Sequence, residues 1–190
     1  MTGLANKVVV VTGSTRGIGR SIAEGCARAG AIVVLSSRTE ADVARAVNGF
    51  AGNGWRASGL AADVSSAEDV EQLMRHALDF QGRIDIWVNN AGLSEGYRPL
   101  DELSVAELDE IVRVNLLGTM YSCRLLIPYL REHGGVLMNM AGRGYRGDAT
   151  PHTAAYASTK AAVASLTKSL AAENRDCRRI HIHALVPGMV

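Results

Sequence analysis

The stretch KVVVVTGSTRGIGR, Lys7–Arg20, runs from four consecutive valines through three glycines into a segment of helical period. A β-branched run without polar alternation reads as a strand buried on both faces, Lys7–Thr12. Gly13, Gly17 and Gly19 then make a turn too tight for side chains at those positions. Gly17–Gly30 follows as a helix, with Ile18, Ile22 and Ala29 toward one side and Gly30 closing it.

The same alternation repeats along the chain. Strands are expected within Ala31–Ser37, Trp55–Val64, Ile84–Asn89, 134–142 and 179–188. Helices are expected over Glu40–Gly52, from a Ser66 cap to about Phe80, from Ser104 to about Leu130 with a bend near Pro128, and over 153–175. Buried strands alternating with helices through short connections make a doubly wound α/β parallel sheet, with ligands at the carboxyl ends of its strands. The 190 residues suit a single domain, 1–190.

Lys plus Arg number 20 and Asp plus Glu 19, so no charge excess points to nucleic acid or an anionic membrane. No apolar run approaches the ~20 residues of a membrane span, and the first residues read as a strand rather than a leader. Cys26, Cys123 and Cys177 are far apart and odd in number. They make no disulfide framework or metal spacing, and a cytoplasmic location is expected. His181 and His183 alternate on one strand without further ligands near in sequence, so no metal site is assigned.

The glycine turn carries the first chemical signal. Residues 13–19, Gly13-Ser14-Thr15-Arg16-Gly17-Ile18-Gly19, bring backbone amides and a helix N-terminus to where a diphosphate can bind. Where an acid would often meet the ribose hydroxyls of NAD, the second strand ends in Ser36, Ser37 and Arg38. Guanidinium groups at Arg16 and Arg38 suit a ribose phosphate, so NADP(H) is expected over NAD(H).

Five motifs occur in order: TGSTRGIG (12–19), NNAG (89–92), Asn115 in RVNLLG, YASTK (156–160) and VPGMV (186–190). With them the chain resembles the short-chain dehydrogenase/reductase family over essentially its whole length. The resemblance implies a Rossmann fold and hydride transfer between NADP(H) and a carbonyl or alcohol. It places Gly13, Gly17, Ile18 and Gly19 at the diphosphate, and Asp63 and Val64 beside the adenine. Asn90, Ala91 and Gly92 would line the cofactor, with Pro187 and Gly188 near the nicotinamide. Tyr156, Lys160 and Asn115 would be the catalytic group, with Asn115 kinking the long helix and holding a water. A homodimer or homotetramer would use faces of the long helix and the Tyr156 helix.

Tyr156 and Lys160, four apart, share one helix face. A phenol ordinarily titrates near ~10, and a nearby ammonium is expected to lower that value. The phenol can then exchange a proton with the substrate oxygen, while Lys160 holds the nicotinamide ribose.

The family usually carries a serine after the fifth strand. Here Ala141 or Gly142 fills that slot, and neither has a side-chain donor. Thr150, His152, Thr153 or the amides around Gly142–Gly144 are candidate replacements. Asn139–Gly142, Thr150-Pro151 and Leu166–Leu170 are similar to the chlorophyll b reductase branch, which hints at a bulky carbonyl substrate. Family members continue past the Pro–Gly turn, so the sequence, ending at Val190, reads as a sheet truncated after its sixth strand. The alternative is a catalytically weak dinucleotide-binding scaffold or sensor.

Overall fold

The computed structural model describes residues 3–187. Within them two compact units are distinguished, one ending at Ala91 and the other starting at Gly92. The fold class is a doubly wound α/β structure with a parallel six-stranded sheet, as the alternation of elements requires.

In the first unit β1 (Val8–Val11) pairs in parallel with β2 (Ile32–Ser37) on one side and β4 (Ile86–Asn89) on the other; β2 also pairs with β3 (Ala57–Ala61). The four valines of β1 are at most 1% exposed. Burying each contributes about 1.5–3 kcal/mol, so the run without alternation is the hydrophobic centre of this unit. The first helix, α1 (Gly17–Arg28), buries only Gly19, Ala23 and Ala27. That stripe of small residues at i, i+4 and i+8 lets its backbone lie close to the sheet. In α2 (Glu40–Gly52) the buried face is Val43, Ala46 and Phe50, and Phe50 meets Trp55 edge to face at 5.3 Å. Ser66 caps α3 (Ala67–Gln81), accepting from the Asp69 amide, and Gly82 ends it in the left-handed region.

Asp85, 8% exposed, ties the start of β1 to the approach to β4. It accepts from Lys7 Nζ at 3.0 Å, the Val8 amide at 2.9 Å and Arg83. Burial alone would raise its pKa, but these donors together hold it below the ordinary aspartate value.

In the second unit β5 (Gly135–Met140) and β6 (Ile180–Leu185) pair in parallel, Gly135 opposite Ile180 through Met140 opposite Leu185. The long helix expected from Ser104 is three pieces. They are α4 (Val105–Val112), a π-helical turn over Arg113–Leu117, and α5 (Gly118–His133). Ser104 and Glu107 form a reciprocal capping box at its start. The irregularity falls at Asn115, and α5 runs through Pro128. A π turn widens the helix by one residue and marks functional positions more often than chance. The last helix, α6 (Ala154–Glu173), packs on β5, β6, α4 and the π turn.

Candidate active site

The first unit builds a cradle. Gly13 and Gly17 have φ of +63° and +56°, a region that favours glycine. A Cβ on Gly13 would lie 2.9 Å from the Ala91 Cα. One on Gly19 would lie 2.3 Å from both the Gly13 carbonyl oxygen and Asn90 Nδ2, whereas one on Gly17 meets nothing within 4 Å. Gly19 is therefore required by space and Gly17 by conformation. Gly19→Ala is expected to cost about 1–3 kcal/mol and to weaken nucleotide binding at least tenfold. Gly17→Ala should cost about 1 kcal/mol, the penalty of left-handed backbone. Thermal melts and nucleotide titration check the order.

Asn90 holds the turn from below. Its Nδ2 donates to the carbonyls of Thr12 (2.9 Å) and Gly13 (3.1 Å), while Thr12 Oγ1 accepts from the amides of Asn90 and Ala91. Asn90 and Ala91 thus shape the cradle through the backbone. Ser14, wholly buried, has its hydroxyl accepting from the Ser36 amide at 2.9 Å, so it braces β2. Asp63 bonds its own neighbourhood: its carboxylate accepts from Ser65 N and its amide donates to Asp69. Val64 is buried beside it. Thr15 and Ile18 are partly exposed; Arg16, Arg38 and Gly92 are exposed.

A nucleotide diphosphate fits this cradle. Acids occupy the first turn of α2, α3 and α4, but α1 has none, so its positive end is left for an outside anion. Among the described residues, the buried Ser36 Oγ has no hydrogen-bond partner, a polar atom left for such a ligand to satisfy.

The second unit brings the predicted pair together. Lys160 Nζ lies 5.5 Å from the Tyr156 ring centroid and donates to the Met140 carbonyl at 2.9 Å. Lys160 is 4% exposed, and burial brings its ammonium down to about 8. The expected lowering of the phenol is reversed in the protein alone. Burial raises the Tyr156 pKa, and the Glu95 carboxylate raises it further. Lys160 sits over the ring and gives its hydrogen bond to Met140, so it does not offset them.

Asn115 is fully buried, and its side chain is committed. Oδ1 accepts from Leu93 N at 2.7 Å; Nδ2 donates to Leu93 O at 2.8 Å and Thr159 Oγ1 at 3.0 Å. Thr159 in turn donates to the Tyr156 carbonyl. Asn115 thus pins the 93–99 loop to α6 and is linked to the Tyr156 backbone through Thr159.

Of the two candidates for the serine slot, Gly142 lies against Tyr156. A Cβ there would lie 2.5 Å from the Tyr156 hydroxyl, so the phenol occupies space a side chain would take. Ala141 is 2% exposed, with its amide bonded to Leu185 O. Of the candidate replacement donors, Thr153 gives its hydroxyl to Thr150 O and starts α6, and His152 has φ of +62° with its carbonyl accepting from Arg98. Pro187 follows β6 by two residues; Gly188 lies outside the described residues. A Cβ on Gly144 would lie 2.5 Å from that of Ala157. Glu95 and Thr159 have no assigned role in the sequence reading. Each acts by close approach between segments, for which local spacing carries no signal.

A family model, short chain dehydrogenase, matches residues 7–190. The chain belongs to the short-chain dehydrogenase family. It is 39% identical over 191 residues to a chloroplastic chlorophyll(ide) b reductase of Arabidopsis thaliana, covering 96% of this chain and 54% of that protein. A Mycobacterium smegmatis short chain dehydrogenase structure superposes with a TM-score of 0.91 at 33% identity, covering 98% of this chain and 78% of that one. A metagenomic short-chain oxidoreductase solved in complex with NADP gives 0.89 at 29% identity, covering 99% and 85%. The chain spans about half the length of the chlorophyll(ide) b reductases it matches. As a short-chain dehydrogenase it is an α/β oxidoreductase-family protein, and none of its described helices is long and apolar enough to cross a membrane.

Proposed function

We propose that this short-chain dehydrogenase is an NADP(H)-dependent oxidoreductase that reduces a carbonyl to an alcohol. The observation that carries the reading is the buried Lys160 ammonium against the Tyr156 ring, with the phenolic hydroxyl beside Gly142. An unfavourable buried ammonium at a helix position otherwise suited to any apolar residue has a functional rationale rather than a stabilising one.

The cofactor, when bound, supplies the hydride. Gly13–Gly19 and the N-terminus of α1 hold its diphosphate, with Asn90, Ala91 and Gly92 shaping the cradle. Arg16 and Arg38 would take the ribose phosphate, Asp63 and Val64 would border the adenine, and Pro187 would adjoin the nicotinamide. Tyr156 Oη donates its proton to the substrate oxygen as the carbonyl carbon gains hydride. Lys160, beside the ring, would hold the nicotinamide ribose. Asn115 and Thr159 hold the start of α6 so that the hydroxyl stays in place. Gly142 lets the phenol lie where a side chain would otherwise stand. Exposed Val105, Val112 and Met120 on α4 and α5 suit a homo-oligomeric face, and three free cysteines suit a reducing compartment such as the cytoplasm.

The test is NADPH or NADH with a panel of bulky aldehydes and ketones, followed at the reduced-nicotinamide absorbance. Turnover is expected with NADPH, at a KM about tenfold to a hundredfold below that for NADH, since each charge-assisted bond contributes about 1.5–3 kcal/mol. Tight NADPH binding without consumption on any substrate would favour the scaffold.

A further inference from the structure

Helices α2, α3 and α4 carry their own N-terminal acids. The first turn of α6 has none, and its N-cap residue, Thr153, makes no side-chain capping bond. The missing acceptor comes from 61 residues upstream. Glu95, 7% exposed, accepts the Tyr156 amide with both carboxylate oxygens at 3.2 Å. Tyr156 is the third residue of the helix, where a free N–H most needs an acceptor.

Among the described residues no cation is ion-paired to this carboxylate. The nearby Arg98 gives its Nε to the Glu95 backbone carbonyl and its guanidinium to Glu107. A buried acid is costly unless its charge is met, and here it is met by the Tyr156 amide and the positive end of α6.

We propose that Glu95 is a positioning residue for Tyr156, capping the catalytic helix from the 93–99 loop and, through its charge, setting the phenol to act as a proton donor. This rests on the reading of Tyr156 given above. Around the phenol, Lys160 lies on the same helix over the ring face. The loop after β5 presents Gly142 to the hydroxyl, while its Arg143 is turned to Tyr97 at 2.7 Å. The π turn contributes neutral Asn115 through Thr159. Glu95 is thus the negative group that faces Tyr156, and it raises the phenol pKa as burial does. Reduction needs the protonated phenol and is lost as pH rises through its pKa. Alcohol oxidation needs phenolate and appears over the same range. Glu95 therefore extends to higher pH the range over which the phenol is available as a donor.

Glu95→Gln keeps an oxygen for the Tyr156 amide and removes the charge, whereas Glu95→Ala removes both. Two readouts separate the roles. The alkaline limb of carbonyl reduction should move to lower pH in Glu95→Gln, with thermal stability close to that of the parent. Glu95→Ala should lose stability and turnover together. The second readout needs no turnover: the ultraviolet ionisation of Tyr156, taken as the difference between each protein and its Tyr156→Phe counterpart, should move to lower pH in Glu95→Gln. Superposable phenol titrations for Glu and Gln at position 95 overturn the proposal, and so does an equal loss of stability in both variants without a shift. If Tyr156→Phe leaves turnover intact, the assignment of the proton donor fails, while the phenol titration still decides what Glu95 does.

Discussion

Tyr156→Phe is expected to lower kcat for carbonyl reduction about a hundredfold to ten-thousandfold, the usual contribution of a positioned general acid. Nucleotide affinity should stay within about twofold, because the cradle of Gly13–Gly19 and Asn90 involves no phenolic oxygen. The fold should also survive: the hydroxyl points at the space over Gly142, and the bonds that anchor the residue are made by its backbone to Glu95 and Thr159. Since burial and Glu95 keep the phenol protonated at neutral pH, the parent should reduce its substrate across neutral pH and lose activity only on the alkaline side. The variant should lack that limb. Retention of parental turnover in Tyr156→Phe would remove the phenol from the reaction.

The second large effect has opposite signs for activity and stability. Lys160→Met should abolish turnover and make the protein more stable. Burial moves the Lys160 ammonium from its ordinary value near 10.5 to about 8. The unfolded chain therefore binds this proton more tightly than the native one, a cost of about 3 kcal/mol at pH 7. Methionine removes that cost and fills similar volume, but orphans the Met140 carbonyl that Nζ now meets, at about 1 kcal/mol. The net expectation is about 2 kcal/mol, or about 4–8 °C in Tm for a chain of this size. The sign is testable by pH. Below pH 8 the full cost is present in the parent, and between about 8 and 10.5 it fades as the unfolded lysine also loses its proton. The advantage of the variant should shrink over that window. A variant melting below the parent at pH 7 would show that the ammonium is held by more than its Met140 bond. A buried cation retained against stability is the energetic signature of a group kept for function.

Much of this protein is a property of its sequence alone. Val8–Val11 cannot alternate and so must be covered on both faces, and Gly13, Gly17 and Gly19 leave little besides a tight turn into α1. Tyr156 and Lys160 fall on one helix face by period. These signals are local, decided by side-chain shape, backbone freedom and helical repeat within a few residues. The tertiary structure decided what depends on which segments meet. It set Gly142 rather than Ala141 against the phenol, broke the long helix into a π turn at Asn115, and used that side chain as a clamp on Leu93 and Thr159. It also reversed the expected shift of Tyr156, because the phenol is itself buried and a carboxylate from Glu95 reaches the helix start. Charge effects follow distance and burial in space, and neither is written in spacing along a chain.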